Sequence, residues 1–241
     1  MSKHSAKKNS AADLSKNPDL LFRVTESYKV ARTNVMFSLL KEGCKRAVIS
    51  SPMAGEGKSM TAVHLSVALA ETDAKVLLID ADLRKPKVNQ YFKLKNTPGL
   101  TNYLGHLCRK EDILHKTEYS NLTVACAGVT VPNPSELLAS GKMKAFLDEI
   151  GGQFDYVIID TPPLNVVADA LPLIKNSDGV ILVVRSGIST YPELNKTVKS
   201  LEMVNAKILG IILNAVEQKD SHSGYGYGKY GYYGSYGTYG S

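Results

Sequence analysis

From residue 47 onward, short and continuously apolar runs alternate with longer stretches whose apolar positions recur at helical spacing. The runs lie at 47–50, 76–79, 122–125, 156–159, 180–184 and 208–213. Each is of strand length, and none alternates apolar with polar as a strand with one wet face must. Between them, 58–71, 143–150 and 192–205 read as helices, and a further helix is predicted over 25–41 from Val30, Val35, Phe37, Leu39 and Leu40. Strands buried on both faces and separated by helices require a mostly parallel sheet covered on each side. The pattern therefore predicts an α/β chain folded as a three-layer α/β/α sandwich.

The two ends break this pattern. Residues 1–24 are read as a disordered basic leader, with Lys3, Lys7, Lys8 and Lys16 set against Asp13. Residues 25–220 hold the folded domain, and 221–241 are almost entirely Gly, Tyr and Ser, with no aliphatic residue to build a core. The last segment is expected to be a flexible tail. No apolar run approaches the roughly 18 residues needed to cross a bilayer, so any membrane association is expected to come through a partner. Cys44, Cys108 and Cys126 have no paired spacing, which fits a reducing cytoplasm. A metal site using His106, Cys108 and His115 is the sharper alternative, but it lacks two-plus-two ligand spacing.

Candidate chemistry begins at the first strand. It runs into Gly55-Glu56-Gly57-Lys58-Ser59-Met60, followed by an apolar helix. Strand, glycine turn and helix N-terminus make a phosphate loop: backbone N–H groups and Lys58 grip phosphates, and Ser59 is placed to ligate Mg²⁺. Position 52, where such loops carry their first glycine, is Pro52, so the motif is a variant. Two other strands end in acids, at Asp80 and Asp82 (then Arg84) and at Asp160. The C-terminal ends of parallel strands gather at one sheet edge, and three carboxylates beside a triphosphate call for a cation, with Mg²⁺ the hard, oxygen-preferring choice. Asp80 and Asp160 are read as metal ligands and Asp82 as the group that orients or deprotonates an incoming hydroxyl. Arg84 either stabilises a transferring phosphoryl group or pairs with a neighbouring carboxylate. Asn214 ends the last strand, where its amide is a candidate purine contact. The following Ala215-Val216-Glu217 lacks the lysine of a guanine-reading N-K-x-D, so ATP is the expected nucleotide.

Taken together, the variant loop, the Ile79-Asp80-Ala81-Asp82-Leu83-Arg84 segment, the Ile159-Asp160-Thr161-Pro162-Pro163 segment and the tyrosine-rich end resemble the bacterial tyrosine kinases of capsule and exopolysaccharide synthesis, in their stand-alone Gram-positive form. The resemblance runs from about residue 25 to the end. It implies a P-loop NTPase fold of the deviant Walker type, in which the loop with Lys58 is Walker A, the segment with Asp80 and Asp82 is Walker A′ and Asp160 is Walker B. It implies a protein-tyrosine kinase that works with a transmembrane polysaccharide co-polymerase-type adaptor, at the inner face of the membrane, and with a cognate phosphotyrosine phosphatase. It also implies a ring-like homo-oligomer formed through E-x-x-R-x-x-R. Here the three positions are Glu26, Lys29 and Arg32, and a lysine cannot reproduce the bidentate contact of the middle arginine.

Seven of the chain's thirteen tyrosines lie in its last seventeen residues: Tyr225, Tyr227, Tyr230, Tyr232, Tyr233, Tyr236 and Tyr239. A flexible tail of about 20 residues has an r.m.s. span of roughly 25 Å, enough to reach an adjacent subunit. These tyrosines are therefore the expected sites of autophosphorylation, in trans. The tail's bases are essentially Lys219 and Lys229, too few to recommend nucleic acid as a partner. The runner-up reading is a partition- or septum-type switch ATPase. That class carries a second lysine at the position of Met53, and such proteins usually have an amphipathic C-terminal helix, which this tail cannot form.

Overall fold

The computed structural model describes residues 17–216. The leader up to residue 16 and the tail tyrosines Tyr225 to Tyr239 lie outside the described residues. The chain forms a seven-stranded sheet, β1 (Lys45–Ser50), β2 (Val76–Asp80), β3 (His115–Lys116), β4 (Leu122–Ala125), β5 (Tyr156–Asp160), β6 (Gly179–Arg185) and β7 (Ile208–Asn214), in the order β3-β4-β2-β5-β1-β6-β7. Every neighbouring pair is parallel except β3 with β4. The six expected strands are all present, and the short antiparallel β3 is an addition at the edge.

Continuous apolar runs are explained by the two cores. Val48, Leu77, Ile79, Val157, Ile159 and Leu182 face one of them, with Phe146, Leu173 and Leu201 from α6 (Gly141–Ile150), α7 (Leu171–Lys175) and α8 (Tyr191–Met203). Ala47, Ile49, Val76, Leu78, Ile158 and Ile181 face the other, with Val35 of α1 (Pro18–Ser38) and Leu65 and Leu69 of α2 (Lys58–Ala70). Successive residues of β1, β2, β5 and β6 thus alternate between two buried faces rather than between core and water. Edge strand β7 departs from the expectation, with Leu209 and Ile212 on the core and Ile211 and Leu213 exposed. The sandwich is the α/β/α architecture expected.

Helix α1 starts earlier than the apolar spacing predicts, at Pro18 rather than about residue 25. Asn17 caps it: its side chain accepts a hydrogen bond from Leu20 N at 3.1 Å. Pro18 occupies the first turn, where no N–H is missed, and Asp19 complements the helix dipole. Residues 18–24 therefore belong to a helix and not to the leader. Four short helices were not predicted: α3 (Val88–Tyr91), α4 (Leu100–Leu104), α5 (Pro134–Leu138) and α7. Each has four or five residues, too few to show a 3.6-residue period.

Topology sets where chemistry collects. β5 lies between β2 and β1, with Asp80 opposite Asp160 across the β2–β5 ladder and Ile49 opposite Asp160 across β1–β5. All three strands point their C-terminal ends the same way, so the acids of β2 and β5 and the loop leaving β1 converge on one edge of the sheet.

Candidate active site

The loop between β1 and α2 is built by two glycines and a buried acid. Gly55 and Gly57 have φ of 87° and 94°, a left-handed conformation that other L-residues enter at a cost of about 1–2 kcal/mol. At Gly57 space is also absent: a Cβ there would lie 2.1 Å from Asn214 Nδ2. Glu56 turns inward, accepting a bond from Met53 N at 3.1 Å through Oε2. Burial raises its carboxyl above the ordinary value. The loop delivers Lys58, Ser59 and Met60 into the first turn of α2, which has no side-chain cap. Free N–H groups at a helix start favour an anion such as phosphate.

Lys58 is the hub. Its ammonium donates to Asp82 Oδ2 at 2.7 Å and to Ser59 Oγ at 3.3 Å, and stands 3.6 Å from Asp160 Oδ1. Burial alone lowers the ammonium's pKa, but Asp160 and Asp82 outweigh it and hold the group above its ordinary value. The three acids differ in surroundings. Asp82 accepts from Lys58 and, at 3.0 Å, from Lys85 N. Asp80 is fully buried and accepts backbone N–H groups from Asp82, Lys87 and Val88 at 3.2, 3.0 and 3.0 Å. Asp160 is also fully buried, yet neither carboxylate oxygen has a hydrogen-bond partner among the described residues. Burial pushes both Asp80 and Asp160 up, against the pull of backbone N–H groups on the first and of Lys58 on the second. A buried carboxylate with no hydrogen bond to either oxygen is costly, and Lys58 at 3.6 Å offsets that only in part. The residues therefore fit a hydrated divalent cation beside phosphates. Among the described residues no group of three or more His, Cys, Asp or Glu side chains is placed to hold a metal ion.

Arg84 points to a carboxylate that the sequence did not single out. Its Nε and Nη2 donate to Asp169 at 2.6 and 3.2 Å, a bidentate fork on an acid that is 1% exposed. Ser135, at the start of α5, donates to the same carboxylate. Burial alone raises the Asp169 carboxyl, but the Arg84 fork and the Ser135 hydroxyl hold it below its ordinary value. Of the two roles open for Arg84, pairing with a neighbouring carboxylate is the one observed. The available signal for Asp169 was a lone acid between Val166-Val167-Ala168 and Ala170, an apolar setting in which an acid needs a partner.

Asn214 donates through Nδ2 to Glu56 O at 2.8 Å. It neither simply ends β7 nor stands clear of the loop, but ties the last strand to it. On α1, Glu26 and Lys29 pair with each other at 2.7 Å, and Arg32 donates to Ala68 O at 3.0 Å near the end of α2. Arg32 is thus engaged within the chain rather than presented on an open helix face with the other two.

A family model described as an AAA domain matches residues 45–211. Tyrosine-protein kinase YwqD of Bacillus subtilis is 41% identical over 203 residues, covering 84% of this chain and 85% of the relative. Tyrosine-protein kinase CpsD of Streptococcus agalactiae is 39% identical over 210 residues, covering 86% and 91%. The solved kinase domain of the Escherichia coli tyrosine kinase ETK superposes with a TM-score of 0.78 at 31% identity, covering 84% of this chain and 80% of that one. The chain belongs to the bacterial tyrosine-kinase family. It is a nucleotide-binding protein-tyrosine kinase, and its glycine turn and acidic strand ends lie within the matched region.

Two outcomes test this geometry. Gly57→Ala combines a left-handed φ with the Asn214 clash and is expected to weaken nucleotide binding at least about tenfold, or ~1.4 kcal/mol, by calorimetric titration, and to lower the urea midpoint by the strain it adds, about 1–2 kcal/mol. Asp169→Asn tests the Arg84 fork. A carboxyl depressed by folding contributes stability above its unfolded pKa, and that stability is lost as pH falls through the folded value. The urea-midpoint gap between wild type and Asp169→Asn is therefore expected to be full near pH 7 and to narrow below about pH 4.

Proposed function

We propose that this kinase uses ATP with Mg²⁺ to phosphorylate its own C-terminal tyrosines, Tyr225, Tyr227, Tyr230, Tyr232, Tyr233, Tyr236 and Tyr239, in trans between subunits of a homo-oligomer. The observation that carries this reading is the pairing of Lys58 with Asp82 beside Asp160, a buried acid within ion-pair distance of Lys58 but with no hydrogen bond to either oxygen among the described residues. Lys58 and the N–H groups of 55–60 hold the β- and γ-phosphates. Ser59, Asp160 and Asp80 hold the cation, which supplies neutralisation of charge on the phosphates and takes its remaining ligands from phosphate and water. Asn214 keeps the loop closed through Glu56 O, its oxygen accepts from Ala215 N at 2.8 Å, and its remaining amide proton is the group left for the base.

Asp82 orients the tyrosine hydroxyl and accepts its proton once Lys58 has moved to phosphate. The phenol oxygen–phosphorus bond forms as the bond from the γ-phosphorus to the bridging oxygen breaks, and ADP leaves with that oxygen. A phenol with a pKa near ~10 needs such help at neutral pH. Arg84, fixed by Asp169, lies two residues beyond Asp82 and positions the acceptor side of the site.

In the cell this reading places the kinase at the inner face of the membrane, held there by a transmembrane polysaccharide co-polymerase-type adaptor that activates it. A cognate phosphotyrosine phosphatase resets the tail, and the cycle regulates capsular or exopolysaccharide synthesis and export. Each phosphotyrosine adds about −1.5 to −2 charges, so full modification overwhelms the chain's formal +6 and loosens contacts between subunits. Ring assembly through Glu26, Lys29 and Arg32 requires Arg32 to exchange the Ala68 carbonyl for a neighbour. No described helix is long and apolar enough to cross a membrane, so a partner is the route to the membrane in this reading.

The test is incubation with Mg·ATP and the adaptor's cytoplasmic segment, with phosphate located by mass spectrometry. Phosphate is expected on the tail tyrosines and lost in Lys58→Met, and deletion of 221–241 is expected to abolish self-phosphorylation while nucleotide affinity is retained. ATP hydrolysis with no phosphotyrosine on the tail overturns the proposal.

A further inference from the structure

The segment that follows the A′ acids carries an unusual run of charge. Between Leu83 and Lys110 there is no Asp or Glu, and Arg84, Lys85, Lys87, Lys93 and Lys95 crowd into twelve residues. The fold presents this charge to solvent. Val88 is buried, and Phe92 and Leu94 pack partly buried against the same core as α1 and α2. The four lysines between and around them are all exposed. None of the four side chains makes an ion pair with a described residue.

Apolar residues nail the segment down and leave its cations outward, an arrangement with a repulsive cost and no internal compensation. The ridge is also tied directly to the chemistry. Lys85 N donates to Asp82 and Lys87 N to Asp80, so the cationic side chains begin three residues from the acid assigned to the incoming hydroxyl. Backbone bonds from Gln90 N to Lys87 O and from Leu94 N to Asn89 O keep the segment compact.

We propose that Lys85, Lys87, Lys93 and Lys95 form a docking ridge for phosphotyrosine-bearing peptide, so that a segment already phosphorylated is held beside the active site while a further tyrosine reacts. This rests on the reading of the tail as substrate. The charge complementarity is specific to the modified form. From Ser221 onward the tail has no acidic residue and carries Lys229, so the unmodified tail gains nothing from the ridge, whereas each phosphate adds about −1.5 to −2 charges and three strong acceptor oxygens. Lysine suits this role because its flexible point charge accepts phosphate at varied spacings, and the tail's tyrosines are themselves unevenly spaced. Partly exposed Tyr91 lies within the same segment and offers an aromatic surface to a phosphotyrosine ring. The consequence is ordered, cumulative phosphorylation: the first event is slow and later events on the same tail are favoured.

The experiment uses the full-length chain, phosphatase-treated and saturated with Mg·ADP to occupy the phosphate loop. Synthetic peptides of residues 222–241 carrying no, one or three phosphotyrosines are titrated by fluorescence anisotropy. The triply phosphorylated peptide is expected to bind at least tenfold tighter than the unphosphorylated one, and to weaken as salt rises. The combined variant Lys85→Gln, Lys87→Gln, Lys93→Gln, Lys95→Gln is expected to lose that difference with ADP affinity intact, which shows that it folds. Because the peptides are synthetic, this result does not depend on the chain's own tail being phosphorylated. Failure of the tail reading appears separately, as absence of tail phosphate after incubation of the wild type with Mg·ATP. Equal binding of all three peptides, unchanged phosphopeptide binding by the variant, or a variant defect confined to phosphatidylserine vesicles overturns the ridge as a phosphotyrosine site.

Discussion

The site depends on one buried ammonium held among carboxylates. Lys58 is tied to Asp82, touches Ser59 and stands within ion-pair distance of Asp160. Removing Lys58 from such a group leaves Asp82 and Asp160 buried without their cation, a larger penalty than the loss of a surface ion pair. The rest of the architecture makes this cluster possible. Parallel ladders of β1, β5 and β2 bring three strand ends to one edge, and two apolar cores hold the sheet between helices. The left-handed glycine turn then aims the start of α2 at the same point. The cluster carries more carboxylates than cations, and Asp160, fully buried, has Lys58 3.6 Å away but no hydrogen bond to either oxygen among the described residues. In the proposed reading a cation takes over the carboxylates and the phosphates take Lys58.

Much of this was legible in the amino-acid order because the physics is local. A strand buried on both faces is apolar almost throughout, so β1, β2, β4, β5 and β6 announce themselves; β7 shows the same apolar run although Ile211 and Leu213 are exposed. The phosphate loop is also local: glycines, lysine and helix start are consecutive, and the acids sit at strand ends where topology alone places them together. The short helices and β3 were not legible, since four or five residues carry no period and two residues carry no pattern. The start of α1 was written in Asn17-Pro18-Asp19, but those polar residues blend into a polar leader unless the cap is sought.

The contacts that escaped are the non-local ones. Nothing near Asp169 in the sequence indicates Arg84, 85 positions away, and nothing near Ser135 indicates Asp169. Asn214 was read as a purine contact, whereas its amide closes the loop through Glu56, 158 positions earlier. Arg32 was read on a helix face together with Glu26 and Lys29, but packing of α1 on α2 gives it the Ala68 carbonyl. In each case a polar side chain found a partner that only the assembled fold supplies. The same distinction separates the lysines of 85–95, whose side chains have no ion-pair partner among the described residues.

The most direct measurement is a crystal structure with Mg²⁺ and a non-hydrolysable ATP analogue. Lys58 Nζ is expected to leave Asp82 for the phosphates, and Asp160 to gain partners in or next to the cation's coordination shell, with Gly55 and Gly57 keeping their left-handed conformation. A bound nucleotide that leaves Lys58 on Asp82 and both Asp160 oxygens unpartnered contradicts the roles assigned to the cluster.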